Sequence, residues 1–134
     1  MGSLITTISL RSSDVLSTDI NLSVSSVVNA DSGYISRSKV AATSATSALT
    51  VYKQNDKLES AYIYIKNLDE ERENFIHVFA DTAADDPVVL KLAGGEFAFM
   101  PIDRSQTLKA YGTITNQIVE YSVFGLDDPA NTLS

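Results

Sequence analysis

The chain has 134 residues, a formal net charge of −7, 44% hydrophobic and 20% charged residues, and no cysteine. That length and balance suit one globular domain with a real core rather than a disordered segment, and the lack of thiols excludes disulfides and thiolate metal sites. The carboxylate excess disfavours nucleic acid, whose binding is driven by counterion release onto Lys and Arg, and equally an anionic membrane surface, so neither is an expected partner.

At the start, Met1 to Thr6 matches the short N-myristoylation pattern. No basic patch follows to supply a second membrane signal, so a strand beginning after a small residue is the simpler reading. The N-terminus shows no basic and apolar regions of a signal peptide. No apolar run approaches the roughly 20 residues that span a bilayer. Leu4-Ile5-Thr6-Thr7-Ile8-Ser9-Leu10 alternates, with Leu4, Thr6, Ile8 and Leu10 on one face and Ile5, Thr7 and Ser9 on the other. A period-two pattern in β-branched residues predicts a strand. Ile20 to Val28 alternates likewise, and Asn29 to Gly33 is a turn signal before a short strand over 34–40.

Residues 41–48 are Ala, Ser and Thr throughout. They are expected to form a surface loop, the alternative being an arm that orders against a neighbouring subunit. Strand character resumes over 49–53, 61–66 and 75–80, the last two read as a hairpin joined by the charged stretch 67–74. Pro87 to Leu92 and Glu96 to Ile102 read as a second hairpin turning at Gly94-Gly95, and this pair is expected to carry much of the core. Strands over 107–111 and 118–124 follow, and 127–134 is a polar tail, expected to be loose. Short strands at close spacing, without a fixed-period repeat or a linker, predict one all-β domain over 1–134, an antiparallel β-sandwich or jelly-roll-like fold. The expected core is Ile63, Ile65, Ile76, Val78, Phe97, Phe99, Val119 and Val123.

Catalytic equipment is not visible. His77 is the single histidine, and a half-buried strand histidine with a satisfied hydrogen bond is the expectation for it. There is no nucleophile elbow and no phosphate-binding glycine loop. Asp69, Glu70, Glu71 and Glu73 cluster in one connection and Asp81, Asp85 and Asp86 in another, without the spacing of an EF-hand, so solvated loops are expected rather than a metal site or a glycosidase pair. No metal, cofactor or catalytic residue is therefore assigned. Tyr62 and Tyr64 project from one strand face, and Tyr121 lies on a later strand that could pair nearby. Such a row suits a flat protein or sugar contact, as in an adhesin, or else a second buried face.

Three stretches taken in order carry a family resemblance: Ala61 to Asn67, Leu92 to Pro101, and Val119 to Gly125. Residues 61–125 resemble small accessory structural proteins of tailed bacteriophages, particularly those of marine cyanobacterial phages. The resemblance implies a non-enzymatic virion component made in the host cytoplasm, either a head decoration (cement) protein on the capsid surface or a neck or tail accessory protein. Implied partners are the major capsid protein and the chain itself, as a homotrimer. The N-terminal strand, through Leu4, Ile5, Ile8 and Leu10, is the candidate contact with the lattice, since apolar residues on both faces suit a strand covered on both sides.

Overall fold

A computed structural model of the chain describes residues 2–15, 17–30, 32–40, 48–81, 88–114 and 116–127. The described residues form ten strands: β1 (Gly2–Ser12), β2 (Ile20–Ala30), β3 (Ser32–Val40), β4 (Leu49–Tyr52), β5 (Leu58–Asn67), β6 (Ile76–Ala80), β7 (Val88–Leu92), β8 (Phe97–Ile102), β9 (Leu108–Gly112) and β10 (Gln117–Asp127). The described residues contain no helix. The fold is all-β, as the alternating runs predict.

The strands form three antiparallel sheets. β1 and β2 make a two-stranded ribbon by themselves, β3-β10-β5-β8 form one four-stranded sheet, and β4-β9-β6-β7 form another. The two larger sheets face each other across one core. The first supplies Ala61, Ile63, Ile65, Val119, Tyr121 and Val123, and the second supplies Val51, Ile76, Val78, Leu92, Leu108 and Ala110. Branched aliphatic side chains at every second position fill the space between sheets stacked about 10 Å apart.

Neither expected hairpin forms. β5 pairs with β10 and β8, whereas β6 pairs with β7 and β9. β7 and β8 likewise belong to different sheets, at their edges. The stretch between them is a corner that carries the chain from one sheet to the other. Gly95 takes a positive φ of 86° there, and Glu96 N–H closes the turn onto the Ala93 carbonyl at 2.9 Å. A strand–turn–strand pattern is compatible with either outcome, because alternation reports a strand and not its partner.

A polar hub fixes this corner. Asn67 is fully buried at the end of β5. Its amide donates to the carbonyls of Asn74 at 2.8 Å and Leu92 at 3.0 Å, and its Oδ1 accepts the Asp69 N–H at 3.0 Å. Its backbone exchanges bonds with Gly95 and Glu96. Through its side chain this one residue ties the 67–74 loop to the end of β7, and through its backbone it holds the corner. Gly94 lies so close beneath the loop that a Cβ would collide with the Glu71 carbonyl oxygen.

Six of the eight expected core residues are buried: Ile63, Ile65, Ile76, Val78, Val119 and Val123. Phe97 and Phe99 are not. Phe97 is 64% exposed and Phe99 is half-buried. The alternation along β8 holds, but the opposite face points inward. Ala98, Met100 and Ile102 pack against the core, aligned with Ile65, Ile63 and Ala61 on β5. The turn expected over 29–33 is shorter than predicted, since β2 runs to Ala30 and β3 starts at Ser32. The small-residue segment 41–47, the acidic residues Asp85 and Asp86, and the tail 128–134 lie outside the described residues.

Candidate interaction surface

The ribbon carries six large exposed apolar side chains, Ile5, Ile8, Leu10, Leu22, Val24 and Val27. Eleven residues of β1 pair with eleven of β2 without a bulge, from Gly2 opposite Ala30 to Ser12 opposite Ile20. Side chains alternate across such a ribbon, so directly opposed residues share a face. One face carries Leu4 with Val28, Thr6 with Ser26, Ile8 with Val24, Leu10 with Leu22, and Ile20. The other carries Ile5 with Val27, then Thr7 with Ser25, Ser9 with Ser23, and Arg11 with Asn21. The Thr7 and Ser25 hydroxyls meet at 3.1 Å, and Thr6 Oγ1 donates to the Ser26 carbonyl at 3.3 Å. The second face is therefore polar beyond the Ile5–Val27 pair, and the first is apolar on either side of the Thr6–Ser26 pair.

The apolar face changes character along the ribbon. At the base, where β2 approaches β10, Val28 is buried and Leu4 half-buried. Farther out, Ile8 is 50%, Leu10 55%, Leu22 57% and Val24 65% exposed. Ile5 and Val27 on the opposite face are exposed as well. Within the single chain the candidate strand Leu4–Leu10 is thus not internal to the sandwich. Its only strand partner among the described residues is β2.

A second surface lies on the outer face of the β3-β10-β5-β8 sheet. Tyr62 and Tyr64 project there, opposite Pro101 and Phe99 of β8 and Phe124 and Ser122 of β10. The Tyr62 and Phe99 rings stack, with centroids 6.1 Å apart and planes 5° off parallel. Tyr64 donates its hydroxyl to Glu120 Oε1 at 2.9 Å. Phe97 extends this aromatic carpet at the free edge of the sheet. Tyr121 does not join it. It is buried in the core on the face of Val119 and Val123, and those two valines, at i−2 and i+2, were the signal for that. Phe99 and Phe124, which complete the platform, were missed because only long-range register brings them beside Tyr62.

Asp69 and Asp81, one from each acidic connection, are engaged structurally. Asp69 Oδ1 accepts the Glu71 N–H at 2.9 Å and the Asn74 amide at 3.1 Å, shaping its own loop. Asp81 pairs with Lys109 at 2.9 Å. Among the described residues, no three His, Asp or Glu side chains converge as a metal site. His77 is half-buried on the outer face of the other sheet, stacked on Tyr111 with centroids 4.9 Å apart. Contrary to expectation its buried Nδ1 lacks a hydrogen-bond partner. Burial, and then the nearby Lys91 ammonium, hold its pKa below the usual imidazole value.

No protein-family model and no curated protein matches the chain. A solved chain from the work "Bacillus endospore appendages form a novel family of disulfide-linked pili" superposes with a TM-score of 0.49 at 18% identity, covering 72% of this chain and 87% of that one.

Proposed function

We propose that this chain is a non-enzymatic structural subunit of an ordered protein assembly, and that it grips a neighbouring molecule with the β1–β2 ribbon. The observation that carries this is the distal apolar face of the ribbon, where Ile8, Leu10, Leu22 and Val24 stand half or more exposed. A two-stranded ribbon without a second layer is marginally stable in water, and a contiguous bare apolar patch marks an interaction site. A partner laid on that face supplies the missing layer.

The assembly to test first is a tailed-phage virion, with the chain bound to the major capsid protein on the outside of the head. The resemblance of residues 61–125 supports that choice. A protein that binds only the assembled lattice stabilises it by mass action. Virions from a phage encoding this sequence are therefore expected to contain the chain, and heads stripped of it to open at lower temperature than complete ones. Re-addition of the chain should restore the difference, and the Ile8→Ser/Leu10→Ser variant should not. Virions that lack the chain, or stripped heads as robust as complete ones, overturn the virion reading.

A further inference from the structure

We infer that the ribbon takes hold of its partner along the free edge of β1, by accepting from it an extended, uncharged strand that alternates between apolar and polar residues. This rests on the proposed ribbon grip and names the kind of partner and the mode of contact.

An edge strand presents a row of backbone N–H and C=O groups with which another strand can pair, so soluble proteins blunt their edges with short strands, charged side chains, Pro or bulges. The four edges of the two larger sheets carry such devices. β8 contains Pro101, and β3 contains Arg37 and Lys39. β4 has four residues and a break in its register with β9. β7 has five residues, Lys91 among them, and a break in its register with β6. The ribbon departs from this rule. β1 and β2 are eleven residues each and pair without a bulge, and residues 2–10 and 20–30 contain no Pro, Asp, Glu, Lys or Arg. A long, regular, uncharged edge in a fold that blunts its other edges is a surface for pairing.

Of the two ribbon edges, that of β2 runs against β10 at its base, where Val28 is buried. β1 pairs with β2 alone among the described residues, and all its residues but Leu4, Thr6 and Ser12 are exposed.

The side chains of β1 dictate what the incoming strand must be. Directly opposed residues of paired strands share a face, and a slip of one residue moves every side chain to the wrong face. Residues opposite Leu4, Ile8 and Leu10 are therefore apolar, and those opposite Ser3, Thr7 and Ser9 are polar. Charge is unwelcome, because residues 2–10 offer no counter-charge to offset its desolvation. β2 meets these terms on the inner edge of β1: Val28, Val24 and Leu22 lie opposite Leu4, Ile8 and Leu10, and Asn29, Ser25 and Ser23 opposite Ser3, Thr7 and Ser9. A third strand of the same pattern brings the ribbon to the three that a sheet with an apolar face needs for stability.

The probe is a synthetic peptide of residues 20–30, flanked by lysines for solubility and carrying a fluorophore. Its binding to the full chain is followed by anisotropy, and the amides it covers by hydrogen exchange. It should bind saturably and slow exchange at alternate amides of β1. The same residues in an order that breaks the alternation, with the same flanks, should not bind. Successive N–H groups of a strand point to opposite sides, so one of Thr6→Pro and Thr7→Pro removes a donor to β2 and the other a donor on the open edge. The variant whose β1–β2 amides stay protected is the edge-blocked chain, and its affinity for the peptide should fall about tenfold, the worth of one ladder bond. No binding, equal binding of the reordered peptide, or binding that leaves β1 exchange unchanged overturns the inference. If the edge-blocked chain still attaches to phage heads and Ile8→Ser/Leu10→Ser does not, the ribbon grips by its face and the edge inference fails. If the peptide binds as described but the chain is absent from virions, the inference stands and the virion reading fails.

Discussion

Asn67→Ala should be the most damaging polar substitution in this fold. The side chain is fully buried and makes three hydrogen bonds to backbone groups, two in the 67–74 loop and one at the end of β7. Removing it leaves the carbonyls of Leu92 and Asn74 and the N–H of Asp69 without those partners. An orphaned buried group costs about 1–3 kcal/mol. The Leu92 carbonyl lies in the buried part of the site, so it bears the full penalty. The other two are partly reachable by water and bear less. The sum is about 2–4 kcal/mol, a large share of the ~5–15 kcal/mol available to a domain. Urea unfolding followed by tyrosine emission reads this directly, since the chain has six tyrosines and no tryptophan. The midpoint should fall with the slope unchanged. Asn67→Leu, close in size but without polar atoms, should lose about as much, because the same backbone groups stay orphaned. If Asn67→Leu is neutral, the hub is a space filler and the corner is held by something else.

Three further outcomes are expected. Gly94→Ala should destabilise by more than the ~1 kcal/mol of an ordinary glycine replacement, because its Cβ would press on backbone atoms of Glu71 and Asp69 rather than on a movable side chain; calorimetry of Gly94→Ala beside Gly95→Ala, which has open space but a positive φ, separates crowding from strain. Phe97→Ala should cost less than about 1 kcal/mol, while Ile63→Ala, at the centre of the core, should cost about 2–5 kcal/mol; equal losses in chemical denaturation would mean that Phe97 is buried in the monomer. The single histidine should titrate below its usual pKa in proton NMR, as burial and Lys91 dictate. Because the folded state resists protonation, the His77 contribution to stability is complete above the unfolded imidazole pKa and is lost as pH falls through the folded value. His77→Gln should remove that component, and an unchanged acid dependence would show that His77 carries none of it.

Much of the strand inventory was legible because alternation is a local property. Leu4 to Leu10 and Ile20 to Val28 announce β1 and β2 within nine residues each, and Ala61 to Lys66 announces β5. The alternation of Ile63 and Ile65 also placed these residues correctly in the core, since the opposite face of β5 carries tyrosines and a lysine. β8 defeated the same reasoning. Both its faces are apolar, Phe97, Phe99 and Pro101 on one side and Ala98, Met100 and Ile102 on the other, and periodicity assigns two faces without saying which is inside. Register against Ile63 and Ile65 decided it, and the slimmer set went inward.

Tyr121 shows a different limit. Its face was readable from Val119 and Val123, both expected in the core, yet its place on a strand that could pair near Tyr62 and Tyr64 suggested a platform. The structure retains a platform and changes its membership to Tyr62, Tyr64, Phe99 and Phe124, which three different strands bring together. The sequence by itself determined the strands, the turn residues and the two faces of each strand, because these depend on neighbours two to four residues away. Only the tertiary structure decided which strands pair, which faces meet in the core and that β1–β2 stands out as a ribbon, because these follow from contacts between residues far apart in the chain, whose free energies no local pattern records.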